Sequence, residues 1–284
     1  MEDNRAKVRS LIFTLVCVSL LSGCVIYIGS GCQSEKFIKI VHMPLTPLSP
    51  GLNFKTTTHN GSIKIYGEDT FECKIIATVT GRAPSVEKAE EIVEQTKLSI
   101  DQTEKGLVLV IRKPTNMSNC CSVGVSLDVT LPNETNLKLE SHNGEIKIEN
   151  INGDTKATTH NGKISVEKMS GRTILRSHNG KVEAKEISGD IDFLSHNGKV
   201  EAEYSQAAGS DSDIKMITYN GDIELTTPQN YSAKVNVSTN NGSINTDLPI
   251  TVLGKFSKNK LVGTTGDAQG NMKLETYNGS IKIR

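Results

Sequence analysis

Tryptophan is absent from this 284-residue chain, and aromatic residues make up only 4% of it. That scarcity argues against a carbohydrate cleft built on stacked rings. Net charge is missing as well, since 32 basic and 32 acidic residues cancel. Neither nucleic acid nor an anionic membrane surface is therefore an expected electrostatic partner. There is no nucleophile elbow, no Gly-rich phosphate loop opening a helix and no paired His, Asp and Ser arrangement. No Cys-x-x-Cys or clustered His/Cys spacing points to zinc. The Asn-rich turns lack the acidic ligands of calcium-binding repeats. The sequence predicts no catalytic residue, no metal site and no cofactor.

What the chain does have is repetition. A Ser or Thr, then a flat or amide side chain, then Asn-Gly is written eight times. The copies place Asn60-Gly61, Asn143-Gly144, Asn161-Gly162, Asn179-Gly180, Asn197-Gly198, Asn220-Gly221, Asn241-Gly242 and Asn278-Gly279 in one class of turn. The asparagines at 143, 161, 179 and 197 are spaced by 18 residues. A fixed period of this size is the mark of a stacked repeat. In register, apolar columns recur: Leu139, Ala157, Leu175 and Phe193, then Ile146, Ile164, Val182 and Val200, then Ile148, Val166, Ala184 and Ala202. Polar residues alternate with them, the period-two pattern of short strands with one face in and one out. A second Gly at 153, 171 and 189 punctuates each unit. Because Gly, and to a lesser degree Asn, tolerates positive φ, two bends per unit are expected.

Two strands and two turns fit either an antiparallel meander or a solenoid. Asn-Gly is a strong hairpin signal, but in a meander equivalent residues lie two strands apart, roughly 9.6 Å. Nothing at that distance would lock residue identity to a strict period. In a solenoid equivalent side chains stack about 4.8 Å apart and touch. The expected fold is all-β, a single-stranded parallel β-solenoid (β-helix) with 18-residue coils and one short capping α-helix.

The pattern strand, S/T-x-N-G-x-I-x-I resembles the bacterial putative-adhesin domain family. The residues that carry the likeness are the opening Thr58-His-Asn-Gly-Ser-Ile-Lys-Ile65, the strand end Val129-Thr-Leu-Pro132 and the closing Lys273-Leu-Glu-Thr-Tyr-Asn-Gly-Ser-Ile-Lys-Ile283. The resemblance covers roughly residues 52 to 284. It implies a β-helical fold and a cell-surface setting, and it brings no catalytic residue. The run of His before Asn-Gly departs from the family pattern, which fixes no residue there.

The N-terminus predicts export. Arg5, Lys7 and Arg9 precede the apolar run Leu11 to Leu21, which ends Leu21-Ser22-Gly23-Cys24. This has the layout of a secretory signal. It resembles a bacterial lipobox, with residues 1–23 removed and Cys24 acylated as the mature N-terminus. The competing reading is a transmembrane anchor, since apolar character continues to Ile28, a borderline length for a span. Cys32 is a weaker cleavage site. Residues 24–51 read as a lipid-anchored linker and 52–284 as the solenoid. A bridge between Cys73 and either Cys120 or Cys121 fits an oxidising envelope, and free thiols fit equally.

Residues 70–122 interrupt the repeat as a strand, a helix and a hairpin. Ser85 is a good N-cap, and Val86, Ala89, Ile92 and Val93 form an apolar stripe. The helix is expected to cap an open end of the solenoid. Pro249 to Gly270 reads as the longest loop among the late coils.

Two sets of residues invite a chemical reading. Glu183 and Glu201 would stack near the separation of a retaining carboxylate pair, but a solvated Lys/Glu ladder explains them better. His142, His160, His178 and His196 recur at the repeat period and form a candidate edge ladder. Metal binding or a pH switch competes there with simple stacking, and stacking is favoured because a straight row of rings offers little convergence. The functional expectation is a non-catalytic, lipid-anchored cell-envelope module, adhesin-like or scaffolding. Its partners would be the membrane, through the N-terminal lipid, and an unknown envelope or surface ligand. A polysaccharide-acting β-helix enzyme and an envelope sensory docking module are the alternatives.

Overall fold

Each Asn-Gly motif closes one coil made of two short strands. The computed structural model describes residues 24–27, 35–117, 120–252 and 257–284, so the expected signal peptide and Cys32 lie outside the described residues. Coils one to six follow the sequence: Asn53–Asn60 with Ile63–Glu68, Asn136–Asn143 with Ile146–Ile151, Thr155–Asn161 with Ile164–Met169, Thr173–Asn179 with Val182–Ile187, Ile191–Asn197 with Val200–Tyr204, and Ile214–Asn220 with Ile223–Thr226. The first strand of every coil joins one sheet and the second joins the other. Neighbouring coils pair in parallel and in register, so that Leu139 lies against Ala157, Ala157 against Leu175 and Leu175 against Phe193. Ala157 thus sits between two leucines in one buried column.

Sequence order breaks after coil six. The last segment of the chain, Gly270–Asn278 with Ile281–Ile283, inserts as coil seven, and Ala233–Asn241 with Ile244–Thr246 lies beyond it as coil eight. The chain therefore skips a position, turns back and fills the gap with its own C-terminus. At the other end Gly106–Arg112 and Ser122–Pro132 pair in parallel with the two strands of coil one. They form a further coil, and the sequence that joins its two strands has no Asn-Gly.

A strictly parallel, single-stranded solenoid was expected, and the structure corrects this to a β-solenoid-like fold of two sheets with mixed orientation. Glu72–Ala83 runs antiparallel to Ser122–Pro132, and Glu35–His42 runs antiparallel to Glu72–Ala83. Lys97–Thr103 is antiparallel to Gly106–Arg112. At the far end Lys260–Thr265 lies antiparallel on coil eight, with Thr251–Val252 beside it. The physical reason is edge protection: a parallel stack ends in rows of unpaired backbone groups, and locally connected antiparallel strands cover them.

Two segments read as connections prove to be structural. The N-terminal stretch read as a linker supplies Glu35–His42 and Thr46–Pro47, and Cys24–Tyr27 pairs on its edge. The segment read as a late loop supplies the far cap. The helix α1 (Val86–Gln95) is capped by Ser85, whose Oγ accepts from the Lys88 amide at 3.3 Å. It buries Ala89, Ile92 and Val93. A Cβ on Gly81 would lie 2.4 Å from the Ala89 carbonyl, so glycine there lets the helix sit directly on the strand.

Candidate functional site

The Asn-Gly turns form two hydrogen-bonded ladders. Each Asn side chain donates from Nδ2 to the Oδ1 of the next, in the order 241, 278, 220, 197, 179, 161, 143 and 60, at 2.8 to 2.9 Å. One amide satisfies two neighbours only when identical residues stack one strand spacing apart, as in cross-β assemblies. Beside it, the buried Ser or Thr hydroxyl of coils two to eight donates to a Gly carbonyl in the turn of the coil below, for example Ser195 to Gly180 at 2.9 Å and Thr276 to Gly221 at 2.8 Å, whereas Thr58 of coil one donates to Gly61 in its own turn.

The need for Gly differs from the one read in the sequence. Of these turn glycines only Gly61 has positive φ, at 146°. The others are needed for close approach: a Cβ on Gly162 would lie 2.1 Å from the Gly144 carbonyl oxygen, and one on Gly180 1.9 Å from that of Gly162. The left-handed residues of the repeat are instead Asn150, Lys168 and Glu186, with φ of 59°, 56° and 52°. They take up the bend before Ile151, Met169 and Ile187.

The residue before each Asn forms the histidine column. Ring centroids are 4.9 Å apart for His142 and His160, 4.7 Å for His160 and His178, and 4.6 Å for His178 and His196. The first two pairs are nearly parallel, whereas the last is tilted by 53°. The column is longer than the four residues read from the sequence. His59 stacks on His142 at 4.7 Å, and Tyr219 on His196 at 5.2 Å. His59 stands in the same motif as the others, but the separation of 83 positions between Asn60 and Asn143 hides that coil one lies directly on coil two.

Along this column runs an open groove of about 1030 Å³. Its floor is the outer face of the first sheet, and its wall at one end includes Lys113, Met117 and Cys121 from the enlarged turn. Burial holds the Lys113 ammonium below the ordinary lysine range. His59 is likewise lowered, by burial first and then by the charges of Lys113 and His142. Nothing in the sequence singled out Lys113, since its turn carries no repeat motif. Among the described residues no group of three or more His, Cys, Asp or Glu side chains could hold a metal ion. Parallel stacked imidazoles direct their in-plane lone pairs alongside one another rather than at a common point.

Glu183 and Glu201 do lie opposite each other on adjacent coils. Neither is poised for acid–base work. Glu183 receives Lys163 at 2.7 Å and Lys181 and Lys185 at 3.5 Å, and Glu201 is paired with both Lys181 and Lys199. The hydrogen bond from Lys163, helped by the three lysine charges and opposed by burial, lowers Glu183 to about 2. Burial opposes ionisation of Glu201, but its hydrogen bonds and lysine charges outweigh that and keep it below the usual carboxylate range. Lys199 continues the network to Glu224 at 2.9 Å. Cys73 is a buried thiol without a disulfide, pushed up to about 12 by burial.

Among solved structures the chain is similar to a putative cell adhesion protein from Clostridium sporogenes ATCC 15579. They share 17% identity over 88% of this chain and 99% of that one, with a TM-score of 0.36. It is also similar to a putative adhesin from Bacteroides fragilis NCTC 9343, at 12% identity over 87% and 97% of the two chains and a TM-score of 0.38. A putative adhesin from Parabacteroides distasonis ATCC 8503 gives 12% identity over 87% and 97%, with a TM-score of 0.25. No curated protein matches the chain. The Toastrack DUF4097 family model matches residues 135–284, more than half of the chain and all of coils two to eight. On that match, the chain belongs to the Toastrack DUF4097 family.

Proposed function

We propose that this chain is a non-catalytic module of the bacterial cell envelope, tethered by a lipid on Cys24 and acting as an adhesin-like binding or scaffold element. The observation that carries the non-catalytic part is the state of Glu183 and Glu201. Acid catalysis of glycoside cleavage needs a carboxyl kept protonated near neutral pH, and both of these are held ionised by lysines. Elsewhere on that face Lys147 is paired with Glu149, and Lys64 with Asp128 at 3.8 Å.

The tether is supported by the basic residues, the apolar run and the Leu21-Ser22-Gly23-Cys24 ending, the layout of an exported lipoprotein precursor. Among the described residues no helix is long and apolar enough to cross a membrane. The experiment is Cys24→Ala in the native host with a labelled fatty acid. Precursor should accumulate and label should vanish, because the acceptor is gone. Undiminished labelling would move the lipid to Cys32 or remove the lipoprotein reading.

A further inference from the structure

The geometry points to the histidine groove as the binding site for a linear acidic glycan of the cell surface, one bearing a carboxylate or phosphate on successive repeats. This deepens the reading of the chain as an envelope binding module and rests on it.

Three observations converge. First, charge is lopsided in a chain that is neutral overall. Lys55, Lys113, Arg176 and five histidines line the groove with a single carboxylate, Glu140. Second, Lys113 has no carboxylate within ion-pair distance among the described residues, although burial already disfavours its charge. An anion would relieve a partly desolvated, uncompensated ammonium. Third, His59, His142, His160 and His178 stack face to face, so the faces between them are covered and their edges meet solvent, while His196 is tilted by 53° to His178. An edge of imidazole offers N–H donors and charge, not a stacking platform. The groove therefore selects hydrogen-bonding anions over planar apolar ligands.

The length of the column decides between a small anion and a polymer. One exposed ion pair holds an anion weakly. Five equivalent sites at intervals of 4.6 to 4.9 Å let one chain bind several in turn, and the later contacts are intramolecular. A monovalent anion gains nothing from that repetition.

Protonation should strengthen the site, since imidazole titrates near neutrality. The charged groups facing the column are few. On the groove side are Lys55, Lys113, Arg176, Glu140 and the Cys121 thiol. Arg176 is tied to Asp192 at 2.7 Å and Glu140 to Lys138 at 3.8 Å. Across the turn, Glu145 and the lysines at 163, 181 and 199 follow the Asn-Gly pairs, and these three lysines are engaged by Glu183, Glu201 and Glu224. Little remains to neutralise imidazolium charge except a ligand.

The test uses the full chain in detergent with polygalacturonate, poly(glycerol phosphate), dextran and a single-stranded oligonucleotide as probes, at about pH 5.5 and about pH 7.5. The acidic polymers should bind about tenfold or more tighter at the lower pH, monomeric galacturonate and dextran should not bind, and the stronger acidic polymer tells carboxylate from phosphate. The fivefold variant with His59, His142, His160, His178 and His196 each changed to Asn should lose the pH effect. Asn240 already holds that position in coil eight, so the turn accepts it. Lys113→Gln should weaken binding at both pH values without touching the column, whereas Lys147→Gln on the other sheet should not. Equal binding at the two pH values, or undiminished binding by the Asn variant, would overturn the proposal. Equal affinity for the oligonucleotide would overturn the glycan assignment. Shortening of the polymer would instead overturn the non-catalytic reading, and label retained on Cys24→Ala would count only against the tether.

Discussion

The parallel stack and the antiparallel cap at its N-terminal end both bury apolar strands, but by different rules. In the stack every side chain meets the same position of the next coil. The Asn amides, the Ser/Thr hydroxyls and the Gly contacts are each one local solution repeated. In the cap, Glu72–Ala83 buries Cys73, Ile75, Ala77, Val79 and Ala83 against unlike neighbours, with a helix seated on Gly81. Collective identity makes the stack tolerant of whole-unit changes and intolerant of single steric ones. The cap has no spare copy of any of its parts.

Deletions should break this comparison most sharply. Removing residues 155–172 takes out coil three and brings coil two against coil four in register, so the fold should survive with a modest loss of stability. Removing only residues 155–163 should unfold the region, because a half-unit shift carries the inward columns out of alignment. Removing residues 97–112 from the cap, fewer than a whole coil, should also be far worse than the coil deletion, since it uncovers the edge strand Asn53–Asn60. Circular dichroism and thermal melting read all three. Equal tolerance of the whole-coil and half-coil deletions would sink the register described here.

Single glycines should sharpen the same contrast. Gly180→Ala puts a Cβ 1.9 Å from the Gly162 carbonyl oxygen, with backbone on both sides that cannot move independently. A loss of about 3 kcal/mol or more is expected, at the upper end of overpacking costs. Gly51, at the entry to coil one, has φ of 80° and open space around it. Gly51→Ala should cost only about 1 kcal/mol, the penalty of a left-handed residue. Denaturant midpoints at fixed slope measure both, and similar losses would show that conformation rather than coil contact governs the turn glycines.

The smallest expected effect is acid sensitivity, confined to the stack. His59 has a folded pKa below its unfolded value of about 6.5. The stability it contributes is fully present above that unfolded value and is lost as pH falls through it towards the lowered folded pKa. Neighbouring imidazolium ions in the column add mutual repulsion of about 1 kcal/mol per pair in a water-like dielectric. The melting temperature should fall by a few degrees between neutral pH and about pH 5. The fourfold His→Tyr variant, which repeats in four coils the ring that Tyr219 places in coil six, should lose the part of that dependence that comes from imidazolium repulsion and keep the part that burial of His59 supplies. Stoichiometric zinc or copper uptake by the wild type, absent in the Tyr variant, would replace stacking by metal binding as the role of the column.

Much of the stack was legible because a repeat exposes its own register. Once Leu139, Ala157, Leu175 and Phe193 fall in one column, strand pairing and the imidazole spacing follow from the geometry of a sheet. The candidate groove was only half legible. Four of its histidines share the 18-residue period, but His59 is separated from them by an insertion and Lys113 sits in a turn with no motif. The reason for the glycines was misread as well, since positive φ is a property of one residue while a clash with the coil below belongs to two.

By itself the sequence determined the coil, the inward columns, the Asn-Gly turn and the spacing of its side chains. All of these depend on contacts between a residue and its own repeat, which the period states directly. Only the tertiary structure decided that the C-terminal segment slips in as coil seven, that an unmarked coil precedes coil one, and that antiparallel strands cover both sheets at one end and one sheet at the other. Those choices satisfy backbone groups at the edges of the stack. An edge has no copy of itself beyond it, so no periodicity could have written its partner into the chain.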